Sequence, residues 1–173
     1  MKTARSLFVL LFMLGLSAAL GACSRTPTEK TARQPVVTGF SCDMAGTYRD
    51  TEVAGQITRT SAGTLTVTLS KPAGLDGMEL TWDGQDVVMN MLGLSVTVDP
   101  ATIPESALGR SVLEALDAGM RGGGKLTERG MCVEGTTESG SFALYADPDT
   151  GALTALSVPS LPLELTFTNF QLK

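Results

Sequence analysis

The sequence predicts a mainly β (α+β) protein, with a curved antiparallel sheet or unclosed half-barrel of about ten strands and one helix across its concave face, at about residues 105–120. Three observations predict this class. From Phe40 onward, apolar and polar residues alternate with a period of two, which is typical of strands with one buried face. One stretch alone has apolar residues at helical spacing. The 151 residues that follow a leader of 22 suit one domain with a single core.

Residues 1–22 are predicted to be a lipoprotein signal peptide. Lys2 and Arg5 precede an apolar run of 14 residues, 7–20, which is short for a permanent membrane-spanning helix. The sequence Leu20-Gly21-Ala22-Cys23 follows it and resembles the lipobox of bacterial lipoproteins. In that family the cysteine sulfur receives a diacylglycerol, and the chain is cut just before the cysteine.

This resemblance implies that Cys23 is the mature N-terminus and the site of lipid attachment. A single acyl chain binds a membrane only marginally, so a durable anchor needs two or three chains, such as diacylglycerol with an added N-acyl group. We therefore expect the protein to take up palmitate and to lie outside the cytoplasm, anchored to the cell membrane by lipid. The alternative is an ordinary secreted protein with a free cysteine near its start.

Residues 23–38 are predicted to be the lipidated N-terminus and a flexible tether. The segment contains Pro27, Pro35 and four threonines, and it has no sustained periodicity. Three of its residues are basic and one is acidic. Two interpretations stay open: a basic spacer that favours anionic headgroups, or a merely soluble linker.

Composition excludes several classes of function. After the leader, the chain has 11 basic and 18 acidic residues, and this balance opposes the binding of nucleic acid. The sequence has no histidine, the commonest general base and zinc ligand. We find no catalytic constellation and no metal site, and we expect neither an enzyme nor a cofactor other than the covalent lipid.

Residues 39–173 are predicted to be the folded domain. Six strands are expected before the helix, and Asp83-Gly84 predicts a tight hairpin turn between the fourth and the fifth. The six predicted strands are centred on residues 40–48, 53–57, 65–70, 78–82, 87–91 and 94–98.

The helix is predicted from Leu108, Val112, Leu116 and Met120, which fall on one stripe. Pro104 is suited to its start, and Gly122-Gly123-Gly124 is expected to end it. Four more strands are expected after it, with Asp147-Pro148-Asp149-Thr150-Gly151 as a turn. They lie near residues 131–135, 141–146, 153–158 and 163–170.

This order of six strands, one helix and four strands over residues 39–173 is similar to the LolA/LolB-like family. In that family an unclosed β-barrel is covered by helices; members of the wider family hold acyl chains between sheet and helices, and some are themselves lipoproteins. The chain departs from the family in lacking a helix before the first strand and in having one covering helix instead of two, and both differences shrink or open the cavity. The chain also resembles small uncharacterised lipoproteins of Gram-positive bacteria, a likeness that implies no function.

Cys42 and Cys132 remain after Cys23 is lipidated, and they could form a disulfide in an oxidising exterior. Alternation places Cys42 on the face of Phe40 and Met44, whereas Cys132 lies opposite its apolar neighbours. A bond between them therefore needs a bulge or an edge position. Two unpaired thiols are the alternative.

A candidate apolar pocket is predicted between the sheet and the helix. Flexible methionines beside a tryptophan suit a site for variable apolar ligands, although plain core packing would also use them. The candidate residues are Met78, Leu80, Trp82, Met89, Met91, Leu113 and Leu116.

The sequence therefore predicts a membrane-anchored lipoprotein that binds an apolar small molecule or lipid, such as an acyl chain. A non-enzymatic interaction protein, which would bind another envelope component through a sheet edge or its acidic surface, is the alternative. A cavity of a few hundred Å³ beneath the helix would favour the ligand.

Overall fold

A computed structural model describes residues 32–104 and 107–173 of the chain. These residues form one antiparallel sheet of eleven strands that does not close, together with one helix. The helix, α1, spans Leu108–Arg121. The strands are β1 Phe40–Tyr48, β2 Thr51–Arg59, β3 Leu65–Lys71, β4 Glu79–Trp82, β5 Val87–Met91, β6 Leu94–Val98, β7 Lys125–Thr127, β8 Gly130–Thr137, β9 Gly140–Ala146, β10 Leu153–Val158 and β11 Leu163–Leu172.

The sheet consists of two meanders that meet at the first and last strands. Its order is β6-β5-β4-β3-β2-β1-β11-β10-β9-β8-β7, so β6 and β7 form its two edges. Every neighbouring pair except β1–β11 is consecutive in the chain. The β1–β11 pair runs from Phe40 opposite Leu172 to Tyr48 opposite Leu163, and it unites the two halves.

The residues that alternate with a period of two form strands with one buried face, as predicted. In β3, Leu65, Val67 and Leu69 are buried on the inner face, whereas Thr66 and Thr68 are only partly buried. The inner faces of the strands and the apolar face of α1 form one hydrophobic cluster. The predicted fold class is therefore confirmed, and the predicted ten strands are all present.

One strand was missed. Strand β7 has three residues and pairs with the start of β8, Lys125 opposite Cys132. All three of its residues are exposed, so neither alternation nor an apolar run marks it in the sequence.

Helix α1 packs its apolar face on the sheet. Val112, Ala115 and Leu116 are almost fully buried in the hydrophobic cluster. A Cβ atom on Gly119 would lie 2.8 Å from Leu144 Cδ2, so the missing side chain permits the close approach of helix and sheet. The helix begins three residues later than predicted, because Ala107 is its N-cap, and it ends at the predicted glycines.

An ion pair joins α1 to β2. Arg59 Nη2 donates to Asp117 Oδ1 at 2.5 Å. Arg59 is only 3% exposed, and its Nε and Nη1 atoms have no hydrogen-bond partner among the described residues. Buried guanidinium groups normally have hydrogen-bond partners for all their donors, so Arg59 is unusual, and among the described residues Asp117 is its one ion-pair partner.

The end of the predicted tether is packed on the domain. The Val36 N–H donates to the Gly151 carbonyl at 2.7 Å, and Val37 is buried in the hydrophobic cluster. Residues 32–38 fall within the predicted spacer, and these contacts hold Val36 and Val37 against the folded domain. The adjacent apolar residues Val36 and Val37 are the reason, since one of them can reach the core from an extended chain.

The candidate disulfide is absent, because Cys42 and Cys132 are both free thiols. Cys42 lies in β1, and three strands separate it from Cys132 in β8. Strands are about 4.8 Å apart, whereas a disulfide requires Cα atoms within about 7 Å. Cys42 also belongs to the inner hydrophobic cluster, whereas Cys132 faces the other side of the sheet beside Tyr145. Both the distance and the faces therefore exclude the bond.

Candidate functional site

A cavity lies between the inner face of β3–β5 and the N-terminal part of α1. Its volume is about 440 Å³. Apolar side chains dominate its walls: Val53, Leu69, Pro72, Leu75, Met78, Leu80, Trp82, Val87, Met89, Val98, Ile103, Pro104, Ala107 and Leu108. Tyr48, Thr51, Thr102, Gly109 and Arg110 complete the lining.

The strand wall of the cavity follows from alternation. Leu80 and Trp82 lie two residues apart in β4 and therefore point to the same face. Met89 lies opposite Leu80 in the neighbouring strand, and Val87 lies opposite Trp82. The hairpin at Asp83-Gly84 thus aligns two apolar rows on one wall.

A glycine on the helix leaves room for the cavity. Gly109 is in the first turn of α1 and has no side chain. A Cβ atom at this position would lie 3.8 Å from Leu80 Cδ1, with no other atom within 4 Å outside the helix and its chain neighbours. Any longer side chain at position 109 would extend into the cavity.

The connection between β6 and α1 covers one side of the cavity. It begins with a 3-10 turn, Pro100–Thr102, which Asp99 caps by accepting a hydrogen bond from the Ala101 N–H at 2.8 Å. Thr102, Ile103 and Pro104 then line the cavity directly. Residues 105 and 106 lie outside the described residues.

Arg110 alone among the described lining residues carries a charge, and acidic partners compensate it. Its Nε donates to Glu114 Oε1 at 2.9 Å, and its Nη1 donates to the Ile103 carbonyl at 3.0 Å. It also pairs with Glu138 in the β8–β9 turn. The hydrogen bond to Glu114 raises the pKa of Arg110, so the guanidinium keeps its charge. Its donors already have acceptors within the protein.

Glu114 fixes the same corner of the helix. Its Oε2 accepts hydrogen bonds from the Ser139 N–H at 3.2 Å and the Ser139 hydroxyl at 2.9 Å. Burial raises the pKa of Glu114, but the hydrogen bonds from Arg110 and Ser139 outweigh it, so the pKa is lowered overall. The carboxylate is therefore stable as an anion and holds α1 against the β8–β9 turn.

Four of the seven predicted pocket residues line the cavity: Met78, Leu80, Trp82 and Met89. The other three do not. Leu116 is fully buried in the hydrophobic cluster, and Leu113 is partly buried and packs against that cluster. Met91 lies at the end of β5, beyond the lining. For Leu113 and Leu116 the reason is that helical spacing identifies the buried face of α1 but not which part of that face borders the cavity.

Sequence reasoning missed the residues that come from connections and from distant strands. Tyr48 and Val53 belong to β1 and β2, and only the topology brings them to the cavity. Ile103 and Pro104 precede the helix and carry no periodic signal. The sequence predicts Pro104 as a helix start, and in the structure this proline also lines the cavity.

The predicted lipid-attachment residue, Cys23, lies outside the described residues. Among the described residues, no helix is long and apolar enough to cross a membrane. In the same two ranges, no group of three or more His, Cys, Asp or Glu residues could hold a metal ion.

Comparison with known proteins yields structural likeness only. No family model matches the chain, and no curated protein matches it. An uncharacterized conserved protein from Thermus thermophilus is 14% identical, with 80% of each chain covered and a TM-score of 0.49. A chain in the structure of the CwlD amidase from Clostridioides difficile in complex with the GerS lipoprotein is 12% identical, covering 78% of this chain and 87% of that chain at a TM-score of 0.47.

A third solved structure comes from the family that the element order resembles. A LolA superfamily protein from Nitrosomonas europaea is 11% identical, covering 84% of this chain and 91% of that chain at a TM-score of 0.41. Likeness at this level carries no information about a ligand, so the functional argument depends on the cavity.

Proposed function

We propose that this protein is a lipid-anchored extracytoplasmic protein that binds an apolar ligand, such as an acyl chain of a lipid, in the cavity beside α1. The cavity itself is the observation that carries the proposal. Its volume of about 440 Å³ falls within the range of about 300–1,000 Å³ that is usual for small-molecule sites. A filled interior would instead have favoured the protein-partner alternative.

The lining favours an uncharged ligand segment. Arg110 is already occupied by Glu114, Glu138 and a backbone carbonyl, so it has little capacity to recruit an anion. Burying an unpaired charge among the apolar walls would be costly. A ligand would therefore place its hydrocarbon part inside the cavity and keep any polar head outside.

Binding can be tested on the mature chain purified from membranes. We expect native mass spectrometry to show a bound apolar molecule, and we expect fatty acids to displace a fluorescent fatty acid. Gly109→Phe would fill the cavity from the helix and should abolish binding. Leu126→Phe is the matched control, because it adds the same ring on the exposed β7. If neither method detects a ligand in the unaltered chain, the cavity is only a packing defect.

The anchor is tested separately. Radiolabelled palmitate should enter the unaltered chain, and Cys23→Ala should abolish both this labelling and membrane attachment. Unlabelled chain that remains free of the membrane would contradict the anchor while leaving the cavity argument intact.

The second candidate function, binding to another envelope protein, is favoured by the unpaired β6 edge. Crosslinking in cells distinguishes it, because that function predicts one dominant protein adduct that persists in Gly109→Phe. The ligand function predicts no such adduct.

A further inference from the structure

An exposed apolar patch lies at the β6 edge of the sheet. It consists of Met89, Leu92, Leu94 and Val96, which we call the hairpin patch. Their side chains are 36%, 88%, 73% and 57% exposed, respectively. Met89 lies directly opposite Val96 in the β5–β6 pair, so the patch is continuous across both strands. Contiguous exposed apolar residues can mark a site of interaction.

The hairpin lacks the features that usually protect a sheet edge. Residues 87–98 contain no charged residue and no proline. Natural edge strands are commonly short or carry lysine, which prevents edge-to-edge aggregation. The opposite edge, β7, meets both conditions, since it has three residues and begins at Lys125. The β7 edge is therefore protected against edge-to-edge pairing, whereas the β6 edge is not.

The turn between β5 and β6 carries an unfavourable residue. Leu92 has a φ of 50° and Gly93 a φ of 81°, between the paired residues Met91 and Leu94. Two-residue turns with both φ values positive strongly favour Asn-Gly, because a bulky side chain is strained there. The turn thus holds an 88% exposed leucine in a conformation that suits asparagine.

The patch adjoins the cavity. Met89 belongs to both, because its side chain lines the cavity and is also 36% exposed. Whatever covers the hairpin patch is therefore adjacent to the ligand site.

The spacer limits where the body can lie. Nine residue steps separate Cys23 from Ala32, a reach of at most about 30 Å. The Arg33 N–H donates to the Pro148 carbonyl in the β9–β10 turn. The strand registers place this turn at the opposite end of the sheet from the β5–β6 turn. A strand of nine residues is also about 30 Å long, so the spacer is just long enough for the body to rest on that turn.

The distribution of charge on the domain indicates which face can approach the lipid. Residues 39–173 contain 8 basic and 17 acidic residues, and anionic headgroups would repel most of such a surface. The hairpin patch is apolar and uncharged. We propose that the hairpin patch inserts into the interfacial region of the bilayer that carries the anchor and thereby holds the cavity at the lipid surface. This inference rests on the anchor proposed above, but it does not require a bound ligand.

The test uses the mature chain, purified from membranes and reconstituted into phosphatidylcholine vesicles whose acyl chains are brominated. A bimane label on Leu94→Cys reports contact with lipid, and the same label on Leu126→Cys, on the opposite edge, is the control. The native thiols Cys42 and Cys132 are buried and should not take the label. We expect quenching at position 94 to be at least about twofold stronger than at 126, since interfacial segments insert about 5–10 Å.

A second variant keeps the turn intact. Leu92→Asn supplies the residue that this turn prefers and removes the apolar side chain. It should reduce quenching at position 94, whereas Leu126→Asn should not.

Three results would overturn the inference. The first is equal quenching at both positions in protein that floats with the vesicles, and this result leaves the anchor intact. The second is a concentration-dependent shift of the bimane emission without vesicles, which would assign the patch to a second copy of the chain. The third is a single dominant protein crosslink from position 94 in cells. Failure to float would instead refute the anchor, and the inference with it.

Discussion

Burial controls the chemistry of the two cysteines in the folded domain. Desolvation raises the pKa of Cys42 to about 12, and the charge of Asp43 adds to this effect. Burial and the charge of Glu134 also raise the pKa of Cys132, although its hydrogen bond with Tyr145 opposes them. Since the thiolate is the reactive species, both thiols should be inert in the folded chain near neutral pH.

We predict that a thiol reagent at pH 8 modifies neither Cys42 nor Cys132 in the native protein, and modifies both after denaturation without a reductant. The folded-state pKa of Cys42 lies above its unfolded value of about 9, so its contribution to stability is complete below pH 9 and is lost as the pH rises toward 12. Urea unfolding at pH 8 and pH 10 measures this loss. If denaturation releases no reactive thiol until a reductant is added, the free-thiol assignment is wrong.

In the described part of the chain Arg59 has one charged partner, and this makes Asp117 important for stability. Removing Asp117 leaves a buried guanidinium without a counter-charge, and breaking a fully buried pair in this way costs about 3–5 kcal/mol. The Asp117 side chain is 38% exposed, so solvent reduces the effect. We predict that Asp117→Ala lowers the free energy of unfolding by about 2 kcal/mol.

The double variant provides the control for this prediction. Arg59→Met combined with Asp117→Ala removes the charge and its partner together and should recover most of the lost stability. Denaturant unfolding of the single and double variants gives the coupling free energy between Arg59 and Asp117. Equal losses in both would show that Asp117 acts through packing and not through the ion pair.

At the scale of elements, the β1–β11 pair has the largest consequence because it joins the two meanders. A Cβ atom on Gly46 would lie 1.9 Å from the carbonyl oxygen of Glu164 in the neighbouring strand. This oxygen belongs to the backbone and cannot move without disturbing the pairing. We predict that Gly46→Ala lowers the free energy of unfolding by about 3 kcal/mol. Gly123→Ala is the matched control, since nothing lies within 4 Å of the added atom, and thermal unfolding compares the two.

The sequence predicts elements well where several apolar residues on one face are buried at every second position. Leu163, Leu165 and Phe167 alternate with polar residues, and β11 lies where this pattern indicates. Strand β7 has no buried residue, so it has no pattern to detect. Local composition around Val37 predicts a spacer, because the residues that pack against Val37 are distant in the chain and composition contains no information about them.

The same distinction applies to the site. Leu80, Trp82 and Met89 were predicted because a single hairpin brings them together. Tyr48 comes from β1, and it reaches the cavity only because β1, β2 and β3 are adjacent in the sheet. No local signal could have separated Leu116, which fills the core, from residues of α1 that border the cavity.

At the scale of the whole molecule, the two sides of α1 have different roles. One side packs against β8 and β9. Two ion pairs fix the helix to the sheet, one between Arg110 and Glu138 and one between Asp117 and Arg59. Its other side faces the cavity and the β3–β5 wall. A ligand that enters there would contact the helix and the strands of the first meander together, because the lining extends from Tyr48 to Arg110.

Ligand binding should therefore stabilise the entire fold and not only the site. A ligand that binds the folded state alone stabilises it by about 2.7 kcal/mol at a concentration one hundred times its dissociation constant. For a chain of this size, that corresponds to a rise in Tm of roughly 5–10 °C. We predict such a rise for the mature chain with a long-chain fatty acid, and no rise for Gly109→Phe, whose cavity is filled. Differential scanning calorimetry measures both, and an equal rise in the two proteins would place the fatty acid outside the cavity.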